Sequence, residues 1–209
     1  MKKILFIVAM AIGLLSTGCE IHETWDDGLP EMEHVYYVGF YKSNINTDYL
    51  SYEVAKSGAA RWRFGASLTA GTWQSTDEQW VATVPFQLHS ERVRSYDAVT
   101  NFWIANDGES ALTAGSDYTV SLENGTALTP NANGIYSLTW PQTKKGIQNV
   151  KIKRSASSPN GVLKVYVLDP AKGTPQQSDI STTVNNKATE YEIRGFSFDY
   201  SKVTVTFTD

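Results

Sequence analysis

From His34 onward, apolar residues recur at every second position rather than at the 3.6-residue spacing of an amphipathic helix. A period of two places successive side chains on opposite faces of a strand, so one face can be buried. This pattern therefore predicts an all-β chain. The segments that carry it are VYYVGF (35–40), QWVATVPFQL (79–88), DYTVSL (117–122), IYSLTW (135–140), NVKIK (149–153), EYEIRGFSF (190–198) and KVTVTFT (202–208).

Turn signals separate these segments. Asn124-Gly125, Asn133-Gly134 and Asn160-Gly161 are steps that tolerate the positive φ of tight turns. Strands recurring about every ten residues predict an antiparallel, immunoglobulin-like β-sandwich over residues 34–209. We expect VLKVYVLD (162–169), apolar on both faces, to be a central strand. Short helical pieces are expected near 48–55 and 178–185.

Two kinds of residue are expected at special places in this sandwich. Pro85 has no N–H to donate to a ladder, so its strand is predicted to be bulged or to lie at an edge. Trp103 and Trp140 are expected in the core, because large aromatic side chains fill the space between sheets.

The first residues predict export rather than a membrane span. Two lysines precede an apolar run from Ile4 to Leu15, which as a helix would be about 18 Å long. That is well short of the hydrocarbon core of about 30 Å. The run ends in Ser16-Thr17-Gly18 before Cys19, the only cysteine of the chain. This is the form of a cleavable signal peptide over residues 1–18.

The same residues resemble the lipobox of bacterial lipoproteins, although Ser16 stands where that pattern usually has leucine. The resemblance implies cleavage before Cys19 and a diacylglyceryl group on its sulfur, which would anchor the chain in a membrane. The alternative is an ordinary secretory signal with a chance cysteine. Residues 19–33 are acidic and are interpreted as a tether between lipid and domain.

Charge and residue inventory disfavour several function classes. A net charge of −4 argues against a broad basic face for nucleic acid, so no nucleic-acid partner is predicted. The three histidines, His22, His34 and His89, have no metal-ligand spacing, and no G-x-S-x-G motif is present. We therefore predict no metal, no cofactor and no catalytic residues. A glycosidase would still require two nearby carboxylates, which a sequence alone does not exclude.

An aromatic segment over residues 57–80, SGAARWRFGASLTAGTWQSTDEQW, carries the predicted ligand site. Flat aromatic rings beside polar side chains suit a sugar, because the rings stack on its C–H face and polar groups bind its hydroxyls. The predicted glycan-binding residues are Trp62, Trp73, Arg61, Gln74 and Asp77. The competing interpretation is a strand in which Trp62 and Phe64 are simply buried.

Residues 98–154 resemble the β-sandwich domains of unknown function found in Bacteroides-type surface lipoproteins, which often belong to glycan-utilisation loci. The similarity lies in LTAGSDYTV (112–120) and IQNVKIK (147–153), and the opening VYYVGF and the lipobox fit the same group. It implies an outer-membrane, surface-exposed accessory glycan-binding protein that works with other glycan-uptake proteins. The alternative is a structural or adhesion lipoprotein that meets protein partners through a sheet edge or an aromatic patch.

Overall fold

The computed structural model describes residues 35–40, 49–65, 67, 69–90, 96–142, 145–167, 169–170, 180–186, 189–195 and 202–209. The predicted signal peptide (1–18), Cys19 and the tether (19–33) lie outside the described residues. Among the described residues all regular structure is extended. The strands are β1 (Val35–Phe40), β2 (Tyr49–Ala55), β3 (Arg61–Gly65), β4 (Gln74–Ser75), β5 (Val81–Ser90), β6 (Ala98–Asn106), β7 (Tyr118–Leu122), β8 (Ile135–Trp140), β9 (Lys145–Arg154), β10 (Gly161–Tyr166), β11 (Ile180–Asn186), β12 (Thr189–Gly195) and β13 (Lys202–Thr208).

These strands form two sheets. The first sheet has the order β11-β12-β1-β5-β9-β7, and the second has the order β4-β3-β2-β13-β10-β6-β8. Neighbours are antiparallel except for β1 with β12 and β2 with β13, which are parallel. The all-β prediction of two mostly antiparallel sheets is confirmed, while the narrower immunoglobulin-like assignment stays a prediction.

The core lies where the apolar faces of the two sheets meet. Phe86 of β5 and Phe102 of β6 belong to different sheets, and their ring centroids are 4.8 Å apart. Phe102 in turn stacks on Tyr136 of β8 at 4.9 Å. Trp140 is 1% exposed, as expected, and its indole N–H donates to Thr100 Oγ1 at 2.8 Å. Trp103 is only half-buried, because it follows Phe102 and therefore lies on the other face of β6.

The two helical expectations were wrong, because both segments are strands. β2 occupies 49–55 and β11 occupies 180–186. In β2 the buried residues Leu50, Tyr52 and Val54 alternate with polar ones, a period of two within a short segment. Parallel pairing with β13 fixes this strand, since Leu50 lies opposite Val203 and Val54 opposite Phe207. No short-range sequence signal reports a partner so far along the chain.

The predicted position of β10 is confirmed. The prediction that the strand of Pro85 is bulged or lies at an edge is wrong, because β5 lies between β1 and β9 and pairs with β9 without a register shift. β10 lies between β13 and β6, so it is an inner strand of the second sheet. β1 pairs with β5 only over Phe86–Ser90, where Phe40 lies opposite Phe86. Pro85 is therefore just beyond the end of β1, although β5 still pairs with β9 on its other side.

Candidate functional site

Beyond Phe40, where β1 ends, no described strand pairs with the β1 side of β5. The backbone N–H of Arg154 donates to Trp80 O at 2.8 Å. From Trp80 onward, the N–H and C=O groups of successive residues of β5 therefore point alternately toward β9 and away from it. Thr83 faces the opposite side, and its carbonyl accepts a hydrogen bond from Tyr52 Oη of β2. Pro85 faces the same side, so its missing N–H costs no ladder bond to β9. Tyr52, a side chain of the second sheet, thus contacts the edge of β5 beyond the end of β1.

A cavity of about 460 Å³ opens at this meeting point, and we call it the aromatic cavity. Its walls come from both sheets and from the loop between β4 and β5. Apolar walls with a few polar groups are typical of small-molecule sites. The lining residues are Leu50, Tyr52, Trp62, Phe64, Thr76, Asp77, Glu78, Thr83, Pro85 and Asn149.

One wall of the aromatic cavity carries two nearly parallel aromatic rings. Trp62 and Phe64 are two residues apart on β3, so their side chains project from the same face. Their ring centroids are 5.6 Å apart and their planes differ by 15°. Burial raises the pKa of Tyr52 far above its ordinary value, so its hydroxyl stays a neutral donor to Thr83.

The acidic loop beside this wall is held in place by β3 and β9. Ala60, directly before β3, donates its N–H to Glu78 O at 3.1 Å and accepts from Thr76 N at 2.7 Å. Thr76 Oγ1 also donates to Glu78 O at 2.9 Å. The Glu78 carboxylate lies 2.5 Å from Lys151 Nζ. These bonds fix the chain around Asp77, which places polar groups beside the aromatic wall.

The structure divides the five predicted glycan-binding residues into two groups. Trp62 and Asp77 both line the aromatic cavity. Arg61 and Trp73 do not line it, and the guanidinium of Arg61 lies 5.0 Å from the centroid of the Trp73 ring. Arg63 also covers this ring, at 4.4 Å. Since Arg61 and Arg63 alternate with Trp62 on β3, Trp73 packs on the face of the strand opposite to Trp62.

Arg61 and Gln74 complete this division. Arg61 Nη2 is 2.7 Å from Glu53 Oε1, so its charge is engaged in an ion pair on the same face as Trp73. Gln74 lies directly opposite Trp62 in the β3–β4 ladder and shares its face, but it is exposed and is not among the lining residues. Trp62 and Trp73 therefore do not form one surface.

Sequence reasoning missed most of the cavity. Tyr52 was hidden because its segment was expected to be helical, although its alternation with polar neighbours was a usable signal. Asn149 and Pro85 lie directly opposite each other in the β5–β9 register. That juxtaposition joins residues more than sixty positions apart, and no local pattern reports it.

The exposed side chains of three sheet edges bear on the adhesion alternative. The edge strands are β11 and β7 in the first sheet and β4 and β8 in the second. The side chains of β11 are outside the described residues. The exposed residues on the other three strands are polar, namely Gln74, Ser75, Ser137, Thr139 and Thr119. These edges therefore lack the apolar character that strand-mediated adhesion would use.

Within the described ranges, no three His, Cys, Asp or Glu side chains lie close enough together to hold a metal ion. The same part of the chain contains no helix with the length and apolar character needed to cross a membrane. No family model matches the chain, and no curated protein matches its sequence.

Proposed function

We propose that this chain is a non-catalytic, lipid-anchored protein of the cell envelope that binds a glycan in the aromatic cavity, as an accessory to outer-membrane polysaccharide capture. The observation that carries the proposal is the nearly parallel pair of Trp62 and Phe64 in the wall of a cavity that Asp77, Thr76 and Asn149 also line. A sugar ring offers a C–H face for stacking and hydroxyls at its perimeter. The cavity supplies the complement of both.

The strength of such binding is modest at a single site. An aromatic contact contributes about 1 kcal/mol beyond buried area, so two rings and a few hydrogen bonds give weak capture by one molecule. Many copies held in one membrane through Cys19 would bind a polymer together, and such avidity exceeds the affinity of each site by orders of magnitude. A double acyl anchor is stable enough for that arrangement.

The carboxylates of the cavity favour binding over hydrolysis. Glycosidases place two carboxyl groups on either side of the scissile bond. Asp77 and Glu78 are consecutive residues of one loop, and Glu78 is engaged by Lys151. We therefore assign them to hydroxyl recognition and to loop placement respectively.

The test is a glycan array of plant, mucin and starch glycans probed with the detergent-solubilised full chain. We expect binding to at least one class, loss of that binding in Trp62→Ala, and a reduction of about tenfold in Asp77→Asn, the equivalent of about 1.4 kcal/mol. Trp73→Ala is the matched control, since Trp73 packs on the other face of β3, and it should bind normally.

Circular dichroism and thermal melting of each variant separate lost binding from lost folding. A well-folded Trp62→Ala protein that binds like the wild type would contradict the site. Silence across the array would contradict the function and favour the adhesion alternative.

A further inference from the structure

At the other end of β5 and β9, a second portion of the first sheet has no partner among the described strands. β7 pairs with β9 only over Val150–Arg154, so β9 continues for five residues beyond it, over Lys145–Asn149. The chain turns away after β7, where Glu123 N–H donates to Asn149 O at 3.1 Å. Asn124 closes the turn by accepting from Thr126 N at 3.0 Å.

A second cavity of about 380 Å³ lies at this place, and we call it the edge cavity. It contains Ile147, whose 50% exposure makes it the one large apolar residue that is strongly exposed in the described part of the chain. Polar side chains surround it, as they do the aromatic wall of the first cavity. The lining residues are Leu122, Glu123, Asn124, Ile147, Gln148 and Asn149.

The two cavities meet at Asn149, which lines both. Pro85, directly opposite Asn149, lines the aromatic cavity, and Ile147 follows on the same outward face of β9. The line from Trp62 through Asn149 to Ile147 thus crosses the β5–β9 pair. Neighbouring strands are about 4.8 Å apart. A path that crosses both strands and extends to the outer edge of each is therefore about 10 to 15 Å long.

A hydrogen bond orients the side chain of Asn149, which lies between the two cavities. Its amide nitrogen donates to Glu123 Oε2 at 3.0 Å. This bond ties the middle of the path to the edge cavity, and the amide oxygen of Asn149 can still accept a hydrogen bond. An oriented amide between two apolar contacts can bind a hydroxyl of a sugar that bridges them.

The charge of the lining residues restricts the polymer further. Asp77, Glu78 and Glu123 are carboxylates among the described lining residues of the two cavities. Lys151 pairs with Glu78 at 2.5 Å, and Lys145, Lys151 and Lys153 alternate with Ile147 and Asn149 on the outward face of β9. The three carboxylates and three lysines offset one another, so this surface offers no net charge that would favour a charged polymer over a neutral one.

We propose that the aromatic cavity and the edge cavity are subsites of one elongated site, which binds an internal stretch of a neutral, linear polysaccharide across the outer face of the β5–β9 pair. This inference rests on the proposed glycan-binding function and adds the class and length of the glycan. Trp62 and Phe64 stack one sugar, Asn149 binds the bridging unit, and Ile147 contacts a further unit.

The experiment titrates the detergent-solubilised full chain with cello-, xylo-, manno- and malto-oligosaccharides, and with oligogalacturonates for comparison, from disaccharide to octasaccharide, by calorimetry. We expect affinity to rise about tenfold or more between the shortest ligand that binds and the hexasaccharide. Ile147→Asp should remove that gain and leave the affinity for the shortest ligand unchanged. Lys153→Ala, on the same strand but outside both cavities, is the matched control and should retain the gain.

Each outcome decides between the two proposals. Binding that does not depend on length, or a gain that persists in Ile147→Asp, overturns the elongated site and leaves glycan binding in the aromatic cavity intact. Absence of binding to every oligosaccharide overturns both. Tighter binding of oligogalacturonates than of the neutral oligosaccharides overturns the assignment to a neutral polymer.

Discussion

Arg154 is the side chain that joins most of the segments at one end of the sandwich. It is 1% exposed, and its guanidinium donates to the carbonyls of Val54 (3.0 Å), Ser158 (2.9 Å) and Thr208. It also lies 5.2 Å from the centroid of the Phe207 ring. Burial lowers the pKa of Arg154, and the charge of Asp209 opposes that shift. β2, β9, β13 and the loop after β9 therefore depend on one planar donor.

Arg154→Lys tests this dependence. An ammonium cannot reproduce a planar fork of several donors, so buried carbonyls lose partners, and we expect a loss of about 2 to 4 kcal/mol in the free energy of unfolding. Urea denaturation followed by tryptophan fluorescence measures it. Lys153→Met, at the exposed neighbouring position, should change stability by less than about 0.5 kcal/mol. Equal effects of the two substitutions on stability would show that the hydrogen bonds of Arg154 do not hold these segments together.

Asp209 gives this end of the molecule a pH dependence. Lys56 Nζ is 2.7 Å from its carboxylate and Asn160 Nδ2 is 2.9 Å away, and the hydrogen bond from Lys56, followed by that from Asn160, lowers the pKa of Asp209. A carboxyl with a lowered pKa in the folded state stabilises the fold above its unfolded value of about 3.9. That contribution is lost as pH falls through the folded value.

The stability difference between the wild type and Asp209→Asn should therefore be present at pH 7 and shrink progressively below about pH 4. Urea unfolding at several pH values measures this difference. In a Lys56→Gln background the same comparison should depend less on pH, because the principal partner is missing. A difference that grows on acidification would reverse the assigned sign.

At the scale of the element, the conformation of the β3–β4 connection requires glycine at position 71. Gly71 has φ +92°, and a Cβ at this position would lie 2.1 Å from the carbonyl oxygen of Phe64. Close approach of the two backbones therefore needs glycine for two reasons, its dihedral freedom and its lack of volume. Phe64 belongs to the aromatic wall, so this turn bears directly on the cavity.

Gly71→Ala should accordingly destabilise the protein by about 2 kcal/mol or more and weaken glycan binding, since the backbone of Phe64 must shift. Gly58→Ala is a matched control, because Gly58 has φ +81° but a Cβ there would meet nothing within 4 Å. It should carry only the dihedral cost of about 1 kcal/mol and leave binding unchanged. Equal losses in both variants would remove the steric argument.

The same elements show what the sequence can predict. β8 and β13 were predicted correctly because the alternation of apolar and polar residues is a local property, seen in β13 at Val203 and Val205. β2 and β11 were mistaken for helices because their segments are short. Each pairs with the strand that follows it, and β2 also pairs with the distant β13. For the candidate site, local chemistry identified Trp62 and Asp77. Tyr52 and Asn149 depend on register between distant strands, and Trp73 was placed wrongly relative to Trp62 because the face of β3 was not fixed.

At the scale of the whole molecule, early and late strands are interleaved. β1 lies beside β12 and β2 beside β13, so both sheets contain parallel pairs that join the beginning and end of the described chain. Such long-range pairing makes folding slow and leaves it incomplete until the last strand is available. Tension on the first residues would act on β1, which lies between β12 and β5.

The proposed lipid anchor would attach at that same end. Cys19 is sixteen residues before Val35, a stretch that spans about 58 Å at most when fully extended. This reach would let the sandwich stand clear of the lipid while many copies share one polymer. The arrangement requires that the chain be held by acyl groups on Cys19 rather than released after cleavage of an ordinary signal.

Cys19→Ser decides between these fates in a bacterial host that processes lipoproteins. The wild-type chain should incorporate radiolabelled palmitate and sediment with membranes, and Cys19→Ser should lose both properties because serine has no thiol to acylate. Ser16→Leu, which restores the usual lipobox residue, is the matched control and should keep the label. An unlabelled wild-type protein, or a Cys19→Ser protein that still carries acyl groups, would show that the membrane is reached by another route and that shared anchoring does not supply the avidity.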